Sequence, residues 1–167
     1  IIAAAGLGLR MGGEVKKPYL LLQGKPIFQH SLERFVDVGL ISEIILVVGA
    51  SEMNEFKERW SNSLSSYRVM VKIVAGGRRR QDSVANGLRH LEGQAEIVLV
   101  HDAVRPIITR EMIETVIQKT EEKGAAILAV PVQATVKEVD GVQRIIRTVK
   151  RDSLWMAQTP QGFKKDI

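Results

Sequence analysis

Cysteine is absent from the 167 residues, which excludes disulfides and every thiolate metal site. Aromatic residues are scarce at 5%, too few to interleave with basic side chains as a stacking surface for nucleic acid requires. No apolar run approaches the roughly 18–20 residues of a membrane-spanning helix. The three histidines, His30, His90 and His101, lack zinc-type spacing. What is present is ordinary for a globular chain, 45% hydrophobic and 26% charged, and long enough to bury one core. The expected compartment is the cytosol. A net charge of +5 favours an anionic partner. The densest basic run, Arg78-Arg79-Arg80, reads as a solvated face or a phosphate contact, and a basic nucleic-acid-binding module stays open as an alternative.

Short runs rich in Val, Ile and Leu, at 1–4, 43–48, 69–74, 97–100 and 125–130, alternate with helical patterns at 27–38, 52–64, 81–91 and 110–123. Continuous apolar strands are those covered by helices on both faces. The alternation predicts an α/β fold with a doubly wound, mostly parallel sheet, whose ligands bind beyond the carboxyl ends of the strands. After Pro131 the pattern changes. Two β-rich stretches, 135–139 and 142–149, flank Asp140-Gly141, which predicts a hairpin with a two-residue turn. Such a projecting hairpin packs on a second subunit or folds back on its own sheet.

The first strand enters Ala3-Ala4-Ala5-Gly6-Leu7-Gly8-Leu9-Arg10-Met11-Gly12-Gly13, with Lys16 and Lys17 beyond. Small residues admit a ligand close to the backbone, and free N–H groups with fixed cations suit a polyphosphate. The glycine spacing departs from the dinucleotide fingerprint, no acidic residue ends the second strand, and no Gly-Lys-Ser/Thr closes a Walker loop. Arg10 and Lys17 are the cations expected to act, and Lys16 is expected to be solvated surface. Gly76-Gly77 followed by Arg78 to Ser83 forms a second strand-to-helix turn. It serves either to meet a base edge, with a hydroxyl from Ser83, or simply to cap the helix. Asp102, in His101-Asp102-Ala103-Val104-Arg105-Pro106, is placed to hold Mg²⁺ or to pair with Arg105. Together these features point to phosphoryl-group chemistry at a nucleotide, governed by electrostatics and positioning.

Five blocks in order carry a family resemblance. They are Ala4-Ala5-Gly6-x-Gly8-x-Arg10-Met11 with Lys17; Gly76-Gly77-x-x-Arg80-x-Asp82-Ser83-Val84; His101-Asp102-Ala103-x-Arg105-Pro106; Pro131-Val132-x-x-Thr135-x-Lys137; and Leu154-Trp155-x-x-Gln158-Thr159-Pro160-Gln161-x-Phe163. The chain resembles the 2-C-methyl-D-erythritol 4-phosphate cytidylyltransferases, nucleotidyltransferases with a Rossmann-like sheet. The resemblance implies formation of CDP-methylerythritol and pyrophosphate from CTP and methylerythritol phosphate, in the non-mevalonate isoprenoid pathway. It implies that Arg10 and Lys17 stabilise the transition state at the α-phosphorus while Ala4, Ala5, Gly6 and Gly8 wrap the triphosphate. Gly77, Arg80, Ser83 and Ala103 then serve the nucleotide, and Asp102 and Arg105 the metal and the sugar-alcohol phosphate. The hairpin, 132–151, matches a homodimerisation arm that carries Thr135 and Arg151 to the active site of a second subunit. Thr159 matches another substrate-side position. Magnesium or another divalent cation is the implied cofactor, and neither nucleic acid nor membrane is an expected partner.

Two departures accompany the match. Arg78 stands where an acidic residue is common. The family also continues past the position of Ile167, through a segment with a substrate lysine and a metal-site acid. Residues 1–167 are therefore expected to be one nucleotidyltransferase domain shortened at the C-terminus and slightly at the N-terminus. The nearest rival is a cytidylyltransferase for another polyol phosphate such as ribitol 5-phosphate.

Overall fold

The most continuously apolar segment, Ile44–Val48, is buried at every residue, as a strand with helices on both faces must be. The computed structural model describes residues 1–6, 15–92 and 95–165. The chain begins with β1 (Ile2–Ala3) and a small hairpin, β2 (Leu21–Leu22) and β3 (Lys25–Pro26), followed by α1 (Ile27–Val36). There follow β4 (Glu43–Val48), α2 (Met53–Ser65), β5 (Met70–Ala75), α3 (Arg80–Arg89), β6 (Ile97–Asp102) and α4 (Arg110–Lys123). The last elements are β7 (Ala125–Pro131), β8 (Val136–Val139), β9 (Ile145–Val149) and β10 (Trp155–Lys164).

The central sheet runs in the order β5-β4-β1-β6-β10-β7. β5, β4, β1 and β6 are mutually parallel, and β10 inserts antiparallel between β6 and β7. The expected mostly parallel, doubly wound sheet is present. Alternate residues of β4 serve opposite faces. Ile44, Leu46 and Val48 join the larger core with Phe28, Leu32 and Phe35 of α1 and Phe56 and Leu64 of α2. Ile45 and Val47 pack with Val74, Ile1 and Leu91 on the other face. Each such fully buried aliphatic side chain contributes about 1.5–3 kcal/mol. α4 starts at Thr109, whose hydroxyl accepts from Met112 N at 3.3 Å, and ends at Gly124 with φ +87°, both standard helix punctuation.

β10 has no counterpart in the sequence-based expectation. It contains Pro160 and Gly162, both strand-weakening, and its pairing with β7 shifts register between Ala157 and Gln161. Gly162 is needed there, because a Cβ would lie 2.3 Å from Thr120 Oγ1 and 3.0 Å from Leu99 and Val116.

The predicted hairpin exists as the separate pair β8–β9, but its loop is not two residues long. Asp140 N–H donates to Arg144 O, Gln143 N–H donates to Asp140 O, and Gln143 takes φ +65°. The loop is thus 141–143. The Asp140 carboxylate decides this by accepting from Val142 N (3.0 Å) and Arg144 N (2.9 Å), which draws Arg144 into the turn.

Candidate active site

Backbone bonds lace the carboxyl ends of the parallel strands together. Ala4 N–H donates to Val47 O (2.7 Å), Gly76 N–H to Val48 O (2.7 Å) and Ala103 N–H to Ala3 O (3.0 Å). The run-in to the glycine loop, the double-glycine turn and the Asp102 segment therefore meet at one end of the sheet, where such sheets bind ligands. Gly76 permits the closest approach, since a Cβ there would lie 2.4 Å from Ala5 Cβ and 2.9 Å from Ser83 Oγ. Ala4 and Ala5 belong to this cluster and Gly6 follows them directly in the chain; Gly8 and Arg10 lie outside the described residues.

Ser83 is buried, and its hydroxyl works within the chain. It accepts from Gly77 N at 3.1 Å and donates to Arg79 O at 3.2 Å, shaping the turn that presents Gly77. Asp82 accepts from Arg79 N and pairs with the Arg79 guanidinium at 3.0 Å. The Arg79 guanidinium holds its carboxyl below the usual range. Helix capping and turn support thus account for both polar residues in this structure.

Asp102 stands between two arginines. Arg80 donates to Oδ1 from Nε (3.0 Å) and Nη2 (2.9 Å), and Arg105 donates to Oδ2 from Nε at 3.2 Å. Arg105 also donates to Gln158 Oε1. Arg80, expected at the nucleotide, pairs with this carboxylate at the end of β6. Oδ1 already accepts two bonds from Arg80, while Oδ2 accepts one from Arg105 and keeps a second lone pair, so that oxygen can still reach a cation. Among the described residues no cluster of three or more His, Asp or Glu side chains forms a ready-made metal cage.

His101 organises this segment from below, a role the sequence did not reveal. It is fully buried against Phe35, with ring centroids 4.9 Å apart. Nδ1 lies 3.0 Å from Thr159 Oγ1, Nε2 lies 3.2 Å from Arg105 O, and Thr159 Oγ1 accepts from Asp102 N at 3.2 Å. A neutral imidazole satisfies all three when Nε2–H donates to Arg105 O and the Thr159 hydroxyl donates to Nδ1. Thr159, expected on the substrate side, is buried, and its hydroxyl is engaged with His101 and Asp102. Its observed work is to hold the Asp102–Arg105 turn.

Burial pushes the His101 imidazole down from 6.5 to about 4. Its folded value lies below its unfolded one, so the unfolded chain binds more protons between the two. The corresponding stability is complete above pH 6.5 and is lost as the pH falls toward 4, about 3 kcal/mol in all. Urea unfolding at pH 7 and pH 4.5 should show this slope flattened in His101→Asn. An undiminished slope in the variant would assign the acid sensitivity elsewhere.

Lys17 opens a 3₁₀ turn, Lys17–Tyr19. No hydrogen bond or ion pair holds its ammonium among the described residues. Lys16 is not solvated surface as expected: it pairs with Glu52 and is 25% exposed. Tyr19 donates to Glu52 Oε2 at 2.8 Å. Burial, then the Glu52 bond, pushes the Tyr19 phenol up, so it stays a donor.

Against known proteins, the family model for "IspD: 2-C-methyl-D-erythritol 4-phosphate cytidylyltransferase" matches residues 1–167. The chain belongs to this family. The enzyme of that name from Alkaliphilus oremlandii is 44% identical over 167 residues, covering all of this chain and 70% of its own length. A crystal structure of 4-diphosphocytidyl-2C-methyl-D-erythritol synthase from Anaerococcus prevotii superposes with TM-score 0.83 at 30% identity, over 99% of this chain and 69% of that one. The Francisella tularensis cytidylyltransferase gives TM-score 0.76 at 32% identity, over 98% and 70%.

For an IspD-family chain the remaining site residues lie apart. Thr135 immediately precedes β8 and Arg151 follows β9, at the root of the hairpin, where Arg151 donates to Gln133 O. Among the described residues no hydrogen bond or ion pair links either to the strand-end cluster. The hairpin is exposed on nearly every residue. Val142, Ile145 and Ile146 are uncovered there, as are Trp155 on β10 and Ile127 on β7.

Proposed function

We propose that this chain transfers the cytidylyl group of CTP to 2-C-methyl-D-erythritol 4-phosphate, giving CDP-methylerythritol and pyrophosphate for isoprenoid synthesis by the non-mevalonate route. The observation that carries the reading is the convergence of the three motif segments at the carboxyl ends of β1, β5 and β6, in a chain matched to this family throughout. The substrate's phosphate oxygen attacks the α-phosphorus in line. A new P–O bond forms as the bond to the departing pyrophosphate breaks, with no covalent enzyme intermediate. Ala4, Ala5, Gly6 and Gly8 offer backbone to the triphosphate; Gly77, Ser83 and Ala103 define the base side. Arg10 and Lys17 neutralise charge that builds on the transferring phosphoryl group and the leaving group. Arg80 and Arg105 face the substrates from the Asp102 carboxylate, which would hold Mg²⁺. A divalent cation there supplies Lewis-acid neutralisation of phosphate charge.

The uncovered hairpin, with Val142, Ile145 and Ile146 facing water, supports a homodimer through 132–151, since large exposed apolar surface marks interaction sites. Thr135, Arg151 and the buried Thr159 are then read on the substrate side, the first two acting across the subunit boundary and Thr159 through Asp102. The compartment inferred is the cytosol.

Pyrophosphate release from CTP and Mg²⁺ with each polyol phosphate tests the substrate. Turnover of ribitol 5-phosphate alone would sink the choice. Arg10→Ala and Arg151→Ala homodimers should each be nearly inactive, whereas co-expressed mixed dimers should regain one working site of the two. Mixed dimers no more active than either parent would remove the arm from the active site.

A further inference from the structure

Two adjacent lysines follow the glycine loop, and the structure treats them differently. Glu52 lies at the end of the 3₁₀ turn Ala50–Glu52, just beyond β4. One carboxylate oxygen pairs with Lys16 and the other accepts the Tyr19 hydroxyl at 2.8 Å. These two residues flank Lys17 on either side, one position before it and two after. The carboxylate is seated over Gly49, where a Cβ would come within 3.1 Å of Oε2 and 3.2 Å of Cδ, so the glycine provides its berth. Glu52 N–H donates back to Gly49 O at 3.0 Å, and Gly49 directly follows Val48, whose carbonyl takes the Gly76 amide. The carboxylate is therefore anchored to the layer of strand ends that forms the site. Pro18 of the turn is buried and Tyr19 packs on Phe28 and Phe56, while a cavity of about 300 Å³ opens on the Lys16 side between Val15, Tyr19, Phe56 and Trp60.

We propose that Glu52 is a positioning residue for Lys17, clasping Lys16 and Tyr19 so that the intervening ammonium stays clear of the clasp and is held at a fixed place for the nucleotide's phosphates. This rests on the cytidylyltransferase reading above. Lys16 is the structural cation of the pair and Lys17 the functional one. Clasping both neighbours restrains the backbone of the turn without touching the Lys17 side chain. Loss of the clasp lets that ammonium wander, and misplacement of about 1 Å costs on the order of 100-fold in rate.

The test is steady-state kinetics of the full-length protein with CTP, Mg²⁺ and 2-C-methyl-D-erythritol 4-phosphate. Glu52→Ala should lower kcat by roughly 30–100-fold while KM for methylerythritol phosphate stays unchanged. Glu52→Gln, which keeps the acceptor for Tyr19, should recover part of the loss. The decisive comparison is Glu52→Ala in a Lys17→Ala background, where it should cost no further rate, because residues acting as a unit are non-additive. A general structural role would reduce kcat in both backgrounds alike and would overturn the proposal. So would a Glu52→Ala kcat within twofold of the parent. If Glu52→Ala does not fold, Tyr19→Phe removes one arm of the clasp and carries the same two-background comparison. Full kcat in Lys17→Ala sinks the catalytic reading and this inference together. A normal Glu52→Ala beside a crippled Lys17→Ala sinks the inference alone.

Discussion

Lys17→Ala is expected to lower kcat by roughly 10²–10³-fold, the usual cost of removing one preorganised charge-stabilising group, while the melting temperature stays within a few degrees. The reason lies in what Lys17 does not do. No hydrogen bond or ion pair holds its ammonium among the described residues, so alanine strands no partner among them. The loss falls on the transition state, where negative charge on the transferring phosphorus and the leaving pyrophosphate exceeds that of bound CTP. KM for CTP should accordingly move much less than kcat. Lys17→Arg keeps the charge but replaces a compact ammonium by a planar fork, and should recover only part of the rate. A Lys17→Ala enzyme within threefold of the parent kcat would remove Lys17 from the mechanism.

The second large effect is expected at Asp102. Asp102→Asn should lower kcat by 10²-fold or more and raise the Mg²⁺ concentration needed for half-maximal rate about tenfold, as losing the charge of a ligand weakens a hard-cation site. The substitution keeps the shape and one acceptor. It removes the counter-charge that Arg80 and Arg105 share at 2.9–3.2 Å, and turns an amide N–H₂ toward a guanidinium. The Arg80 and Arg105 side chains are 49% and 42% exposed, so the stability cost should be about 1 kcal/mol or less. Titrating Mg²⁺ against rate separates two roles. A reduced kcat with unchanged Mg²⁺ dependence would confine Asp102 to holding the arginines; a normal kcat would exclude both roles.

Parallel strands and their helices were legible because burial on both faces forces continuous apolar runs, as in β4. The hairpin was legible from β-branched residues around Asp140-Gly141, although the Asp140 carboxylate lengthened its loop. β10 was not legible. Its Gln158, Pro160, Gln161 and Gly162 resemble a loop, and only pairing with β6 and β7 on both sides makes it a strand. The site followed the same division. Strand-to-loop junctions identified Ala4–Gly6, Gly76-Gly77 and Asp102 as neighbours. The supports of those residues came from far along the chain: Thr159 meets His101 across 58 positions, and Tyr19 meets Glu52 across 33.

The sequence by itself determined that this is an α/β nucleotidyltransferase chain with a small-residue anion loop, cations beside it, and an acid at the end of a buried strand. The fold, the loop and the acid follow from residue type and local spacing, and the nucleotidyltransferase assignment from the resemblance that the five motif blocks carry. Only the tertiary structure decided how the polar groups divide their labour: Lys16 bound to Glu52 and Lys17 without a partner among the described residues, Asp102 shared by two arginines, Ser83 and Thr159 turned inward as supports. A charged or hydroxyl side chain acts through whichever partner lies within about 3 Å, and in this fold the packing of distant segments selects that partner.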